Sequence, residues 1–188
     1  MLNIRNATMT ELGRWYSALE TDFDRRELLP LSAVRKAVRR REMEFLLLEE
    51  KERGLTVGYA LTGIRNVYGY VLLKYFGILP WYREHGIGVQ AMRLLHQRYA
   101  DSQGILAELT AFDDSDDGAY LRKLIRFFRR FGYEEVPCRY CLGGAAVTLM
   151  AKPVRGTSEV SPVSQRLLLD FYSRWLRPAQ VRNMLRFS

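Results

Sequence analysis

The stretch PWYREHGIG, residues 80–88, decides how the chain around it is read. A strand-like apolar run, VYGYVLLKYFGIL (67–79), leads into it. A helix-periodic run over 86–101 leads out, with Ile87, Ala91, Leu94, Leu95 and Tyr99 on one side. Between them stand Arg83, His85, and two glycines spaced by one residue, Gly86 and Gly88. Glycine lets the backbone close on an oxyanion, and a helix start offers unpaired N–H groups and the positive end of its dipole. The stretch therefore predicts an anion-binding turn, and its surroundings must say which anion.

Working outward, LNIRNAT (2–8) alternates as a short strand. Thr10 is expected to cap a helix through Leu12, Trp15, Tyr16 and Leu19, and a basic helix follows Pro30 with Leu31, Val34 and Val38 as its apolar edge. The RRR run at 39–41 reads as a solvated face. EFLLLEEK (44–51), TVGYALTGIR (56–65) and the run at 67–79 form three strands joined by short turns, an antiparallel meander. Gly77 inside the third strand predicts a bulge there, or a close approach of another backbone or ligand. GILAELTAF (104–112) is a strand, and Leu121, Leu124, Ile125 and Phe128 mark a helix that Gly132 ends. YEEVPCRY and AVTLMAKP read as a closing pair of strands. The order β-α-α-β-β-β-α-β-α-β-β predicts an α/β (α+β) fold: a mixed, mostly antiparallel sheet of about seven strands flanked by helices.

That domain is expected over residues 1–153. Residues 154–188 read as a linker, GTSEVSPVS, and a basic amphipathic helix with Leu167, Leu168, Phe171 and Trp175 on one side. The apolar stripe calls for burial against the domain or a second subunit, which leaves a homodimer open. The net charge of +8 favours anionic partners, among them nucleic acid through the arginine-rich tail, an acidic protein, or a phosphorylated ligand. No run approaches the roughly 18 apolar residues that span a bilayer, and the N-terminus lacks an apolar leader, so the expectation is a cytoplasmic protein off the membrane. Cys138 and Cys141 form one C-x-x-C without a second pair, so a metal site is not expected. DDSDDG (113–118) fails as a calcium loop because Leu124 stands where the glutamate ligand belongs.

Gly86-Ile87-Gly88-Val89-Gln90-Ala91 also fits the dinucleotide pattern G-x-G-x-x-G/A, with Glu108 20 residues after Gly88. That pattern puts its first glycine at the end of a parallel strand inside β-α-β alternation. Here Pro80–His85 intervene and a meander precedes, so the dinucleotide reading ranks behind its rival.

The rival is wider. Arg83-x-x-Gly86-x-Gly88 after a strand ending Ile78-Leu79-Pro80 resembles the acyl-coenzyme A signature of the GNAT superfamily of N-acetyltransferases. Phe127-Phe128-Arg129-Arg130-Phe131-Gly132-Tyr133 is similar to that family's later motif, and the resemblance covers roughly residues 2–153. It implies acetyl-CoA as co-substrate, an amine as acceptor, and direct attack in a ternary complex. It assigns the cofactor loop to Arg83, Glu84, His85, Gly86, Ile87, Gly88 and Val89. Pantetheine would pair like an added strand around Phe76 and Ile78 and pass Phe128. Arg122, Lys123, Arg126, Arg129 and Arg130 would help attract the phosphates.

The chemistry so implied needs a base for the amine, a donor for the oxyanion, and an acid for the thiolate. Glu108, on the strand flanking the slot, is the preferred base, with Tyr75 and Tyr140 as further candidates. Phe128 stands where many relatives carry a tyrosine acid, and Leu121 matches an asparagine that often meets pantetheine. Two functions stay open: an N-acetyltransferase, or a GNAT-like binding module whose basic tail contacts nucleic acid or an acidic protein.

Overall fold

The computed structural model describes residues 1–64, 66–111, 117–154 and 164–187. In chain order, β1 (Leu2–Asn6), α1 (Met9–Asp22) and α2 (Leu31–Arg39) precede the meander β2 (Met43–Glu50), β3 (Leu55–Gly63) and β4 (Tyr70–Ile78). A 3-10 turn (Pro80–Tyr82), α3 (Ile87–Arg98), β5 (Gly104–Ala111) and α4 (Asp117–Arg129) follow. The chain continues through β6 (Glu134–Glu135), β7 (Tyr140–Leu142), β8 (Ala145–Pro153), α5 (Ser164–Trp175), α6 (Pro178–Met184) and β9 (Leu185–Phe187). Residues 113–116 of the DDSDDG run and 156–163 of the linker lie outside the described residues.

The strands join one sheet in the order β1-β2-β3-β4-β5-β8-β7-β9, with β6 also paired to β8. β4 and β5 run parallel, and every other pair is antiparallel. The sheet is therefore mixed and mostly antiparallel, as the element order predicts, with nine strands among the described residues rather than about seven. One addition is β9, too short to read from sequence. The other comes from YEEVPCRY, which is two strands: Pro137 has no N–H to give the ladder, so pairing to β8 breaks between Glu135 and Cys141.

Apolar residues on both phases of the strand period bury both faces. Phe45, Leu47, Tyr59, Leu72 and Tyr75 meet α1 (Leu12, Tyr16, Leu19), α2 (Val34, Ala37) and α5 (Leu167, Leu168, Phe171). Leu46, Ala60, Val71, Leu73 and Ile105 meet α3 (Met92, Leu95) and Phe128 of α4. Helix α5 thus buries its stripe on the domain's own sheet, and β9 pairs with β7.

Two local expectations are corrected. The cap of α1 is Thr8, not Thr10: the Thr8 hydroxyl accepts the Glu11 N–H at 3.2 Å, and Glu11 accepts the Thr8 N–H at 2.8 Å. That reciprocal pair needs an acid three residues after the cap, and three after Thr10 stands Gly13. The bulge of β4 is at Lys74, not Gly77. Leu61 opposes Tyr75 and Thr62 opposes Leu73, so Lys74 is the extra residue. Gly77 instead marks a close approach, because a Cβ there would stand 2.6 Å from the Tyr59 ring.

Candidate active site

β4 and β5 pair from Tyr70↔Gly104 to Leu73↔Ala107 and then part. The bulge explains why. An extra residue bends its strand and raises its twist, so beyond Lys74 the arms 74–78 and 108–111 diverge and leave a V-shaped slot. The bulge also puts Lys74 and Tyr75 on the same face, toward α1, α2 and α5.

At the fork, Lys74 Nζ donates to Glu108 Oε2 at 2.8 Å, and each side chain is 1% exposed. Tyr172 of α5 donates its hydroxyl to the same oxygen at 2.7 Å, and Tyr140 of β7 donates to Oε1 at 2.9 Å. The Lys74 ammonium also lies over the rings of Tyr75 and Tyr172, 5.1 and 5.5 Å from their centroids. A buried ion pair persists when hydrogen bonds satisfy its remaining lone pairs, and here they do. Burial first, and the Glu108 charge second, hold the Tyr140 and Tyr172 phenols well above their ordinary pKa, so both remain neutral donors.

The connection between α1 and α2 crosses the same face. Tyr75 donates its hydroxyl to the Glu27 carbonyl at 2.9 Å and accepts the Leu29 N–H at 2.8 Å, while Tyr16 donates to the Leu29 carbonyl at 2.6 Å. These bonds set the buried carboxyl of Glu27 over β5, where Oε2 accepts the Thr110 hydroxyl at 2.5 Å. Burial pushes the Glu27 carboxyl up, against the Thr110 hydrogen bond and the Lys74 charge, which pull it down.

The other wall is the turn 83–88. Gly86 caps α3 with φ of 73°, and Glu84 is also left-handed at 66°. Gly86 supplies a conformation that side chains resist. It leaves the N–H groups of Ile87 and Gly88 at the helix start without a partner among the described residues. A Cβ on Gly88 would lie 3.8 Å from Ile78 and Phe127, so its absence widens the slot between β4 and α4. Phe76 stacks on Phe127 with ring centroids 6.5 Å apart. Phe128, assigned to the cofactor from sequence, is buried edge-on against Phe127 and Tyr133.

Arg83 is engaged within the protein, away from the start of α3. Its Nε donates to the Ile78 carbonyl at 2.8 Å and its NH2 reaches Asp22 at 3.3 Å, where Tyr59 also donates at 2.5 Å. His85 is exposed with its Nδ1 2.6 Å from the Arg83 carbonyl, and Val89 joins the first turn by donating to Gly86.

The structure thus brings together Glu108 and Tyr140, sets Tyr75 beside them as the anchor of a loop, and groups Phe76, Ile78 and Arg83–Val89 along one edge. Sequence reading missed Lys74, Tyr172 and Glu27. Lys74 left one signal, a lysine inside the apolar run YVLLKYF. Tyr172 and Glu27 left none.

A mostly antiparallel sheet whose parallel pair splays beside a glycine-capped helix defines the acetyltransferase class of α/β fold. The chain belongs to the acetyltransferase (GNAT) family, whose model matches residues 7–133. The dinucleotide reading falls with that assignment. No curated protein matches the chain. Among solved structures, a Bacteroides thetaiotaomicron protein assigned to the GNAT family superposes with a TM-score of 0.71 at 15% identity, covering 93% of this chain and 99% of that one. NAA60 from Arabidopsis thaliana in complex with acetyl-CoA gives 0.63 at 14% identity, covering 83% and 100%. The ribosomal-protein-S18-alanine N-acetyltransferase from Escherichia coli gives 0.59 at 18%, covering 85% and 98%. At such identities the likeness is one of fold.

Proposed function

We propose that the protein transfers acetyl from acetyl-CoA to an amine by direct attack in a ternary complex. The observation that carries the reading is the β4–β5 splay ending beside the N–H groups of Ile87 and Gly88, which have no partner among the described residues. The pyrophosphate sits on that helix start, with Glu84, His85 and Val89 around it. Pantetheine runs along the open edge of β4 at Phe76 and Ile78. Arg83, which lies across this edge on the Ile78 carbonyl, swings toward the phosphates when the cofactor enters.

The thioester then reaches the fork. Glu108, paired with Lys74, holds the Tyr140 hydroxyl at that fork. Tyr140, a neutral phenol on Glu108, is the acid available to the departing thiolate, since Phe128 has no proton to give. Tyr75 acts by holding the loop that bears Glu27. Titration calorimetry with acetyl-CoA tests the reading: binding in the micromolar range is expected, and none would sink it. Gly86→Glu should abolish binding by placing a carboxylate against the pyrophosphate. Gly86→Ala, which shares the backbone strain without the charge, should bind measurably.

A second reading, a catalytically silent module with a basic tail, rests on Phe128 and on the exposed Arg166, Arg177, Arg182 and Arg186. It is favoured by retention on a polyanion column through moderate salt together with no thiol release across an amine library.

A further inference from the structure

We infer that Glu27, on the loop between α1 and α2, takes the proton from the acceptor amine, while Glu108 serves beside it as a fixed charge. The inference rests on the acetyltransferase reading above and names the base within it. Glu108 is poorly placed to receive a proton. Three donors already hold its oxygens, one of them a buried ammonium at 2.8 Å. Protonating it would strand Lys74 without a counter-charge in a site closed to water.

Glu27 is different. Among the described residues, its Oε2 accepts one hydroxyl, that of Thr110, and its Oε1 one long N–H bond, from Asp24 at 3.2 Å. A carboxylate offers about four lone-pair sites, so Glu27 keeps acceptor capacity that Glu108 has largely spent. Its position also fits. Thr110 lies on the same face of β5 two residues beyond Glu108, past the last β4–β5 pair at Leu73↔Ala107. At roughly 3.3 Å per strand residue, Glu27 therefore hangs about 7 Å nearer the mouth of the slot, where an incoming amine arrives first. The charged and titratable groups facing it are Lys74 and Tyr75 on β4 and Glu108 on β5, with the Thr110 hydroxyl and the Asp24 N–H as its hydrogen-bond donors. Burial dominates these and raises the Glu27 pKa, bringing the base toward the working pH.

The step balances as follows. The ammonium gives one proton to the Glu27 carboxylate, and the freed lone pair forms the N–C bond to the thioester carbonyl. The C–S bond breaks with its electron pair on sulfur, Tyr140 gives its proton to the thiolate, and a second proton from nitrogen restores the Tyr140 phenol. Glu27 then returns its proton to water, leaving the amide, the coenzyme A thiol and one released proton.

The test compares wild type, Glu27→Gln and Glu108→Gln, on an amine that a primary-amine library shows to be acetylated. In the wild type, kcat/KM should rise with pH along an acid limb above the ordinary glutamate value of 4.5. Glu27→Gln should lower kcat by about 10²–10³-fold and erase that limb, leaving acetyl-CoA affinity by calorimetry unchanged. A Glu27→Gln enzyme within about threefold of wild type, or a limb that vanishes only in Glu108→Gln, overturns the inference and leaves the acetyltransferase reading standing. A wild type that binds acetyl-CoA but acetylates no amine fails that reading instead, and the inference with it. Thermal melts supply a readout free of turnover. The folded protein binds the Glu27 proton more tightly than the unfolded chain, so stability falls as pH rises above 4.5 through the raised pKa. Glu27→Gln should escape that fall and gain Tm relative to wild type between pH 5 and 8, whereas a constant difference across the range would remove the premise.

Discussion

Lys74 is buried in mid-strand, and it does three things at once. As the extra residue of the β4 bulge it parts two strands, as a cation it fixes Glu108, and its ammonium lies over the rings of Tyr75 and Tyr172. Removing one partner of a buried pair leaves the other uncompensated, typically at about 3–5 kcal/mol. Lys74→Met is expected to lose stability in that range by urea denaturation, and Lys74→Met combined with Glu108→Leu to recover part of it. A single variant within about 1 kcal/mol of wild type would mean that Glu108 does not depend on its lysine. A lysine amid valine, leucines, tyrosine and phenylalanine was visible as an anomaly. Its partner was not, because Glu108 is 34 residues away and nothing local distinguishes it from a solvated strand carboxylate.

Individual elements were more legible, since period and capping chemistry are local. The helix α3 and its glycine start stand where the pattern at 80–101 puts them, within a residue or three of the ends. The cap of α1 shows how narrowly such signals must be read. Thr8 and Glu11 form the S/T-x-x-E box, and Arg5 braces it by donating to Glu11 at 2.6 Å. Thr8→Ala should cost about 1 kcal/mol, and Thr10→Ala nearly nothing. Chemical denaturation of the two side by side checks the assignment, and equal losses would refute it. The bulge, by contrast, is a property of register. Gly77 was the plausible bulge residue in one strand, but which residue is extra depends on how β3 lies against β4.

At the scale of the molecule, the C-terminal segment is part of the domain's architecture. Phe171 is fully buried beside Trp175, whose ring occupies the space a side chain at Gly63 would need. Truncating such an aromatic typically costs about 3–5 kcal/mol, so Phe171→Ala should lower stability by that much and loosen Tyr172 at the fork. A loss below about 1 kcal/mol, read from denaturant midpoints, would mean that α5 sits loosely on the sheet. The sequence by itself determined the order of elements as far as α4, the mixed sheet flanked by helices, and the glycine-led start of α3, all carried by neighbours within a few residues. Only the tertiary structure decided what surrounds Glu108. The carboxylate meets Lys74 from β4, Tyr140 from β7 and Tyr172 from α5, with Glu27 over Thr110 two residues along β5. Tyr172 lies 64 residues from it in sequence and Glu27 81, and the register of two strands and the seating of one helix bring these groups within reach of one another.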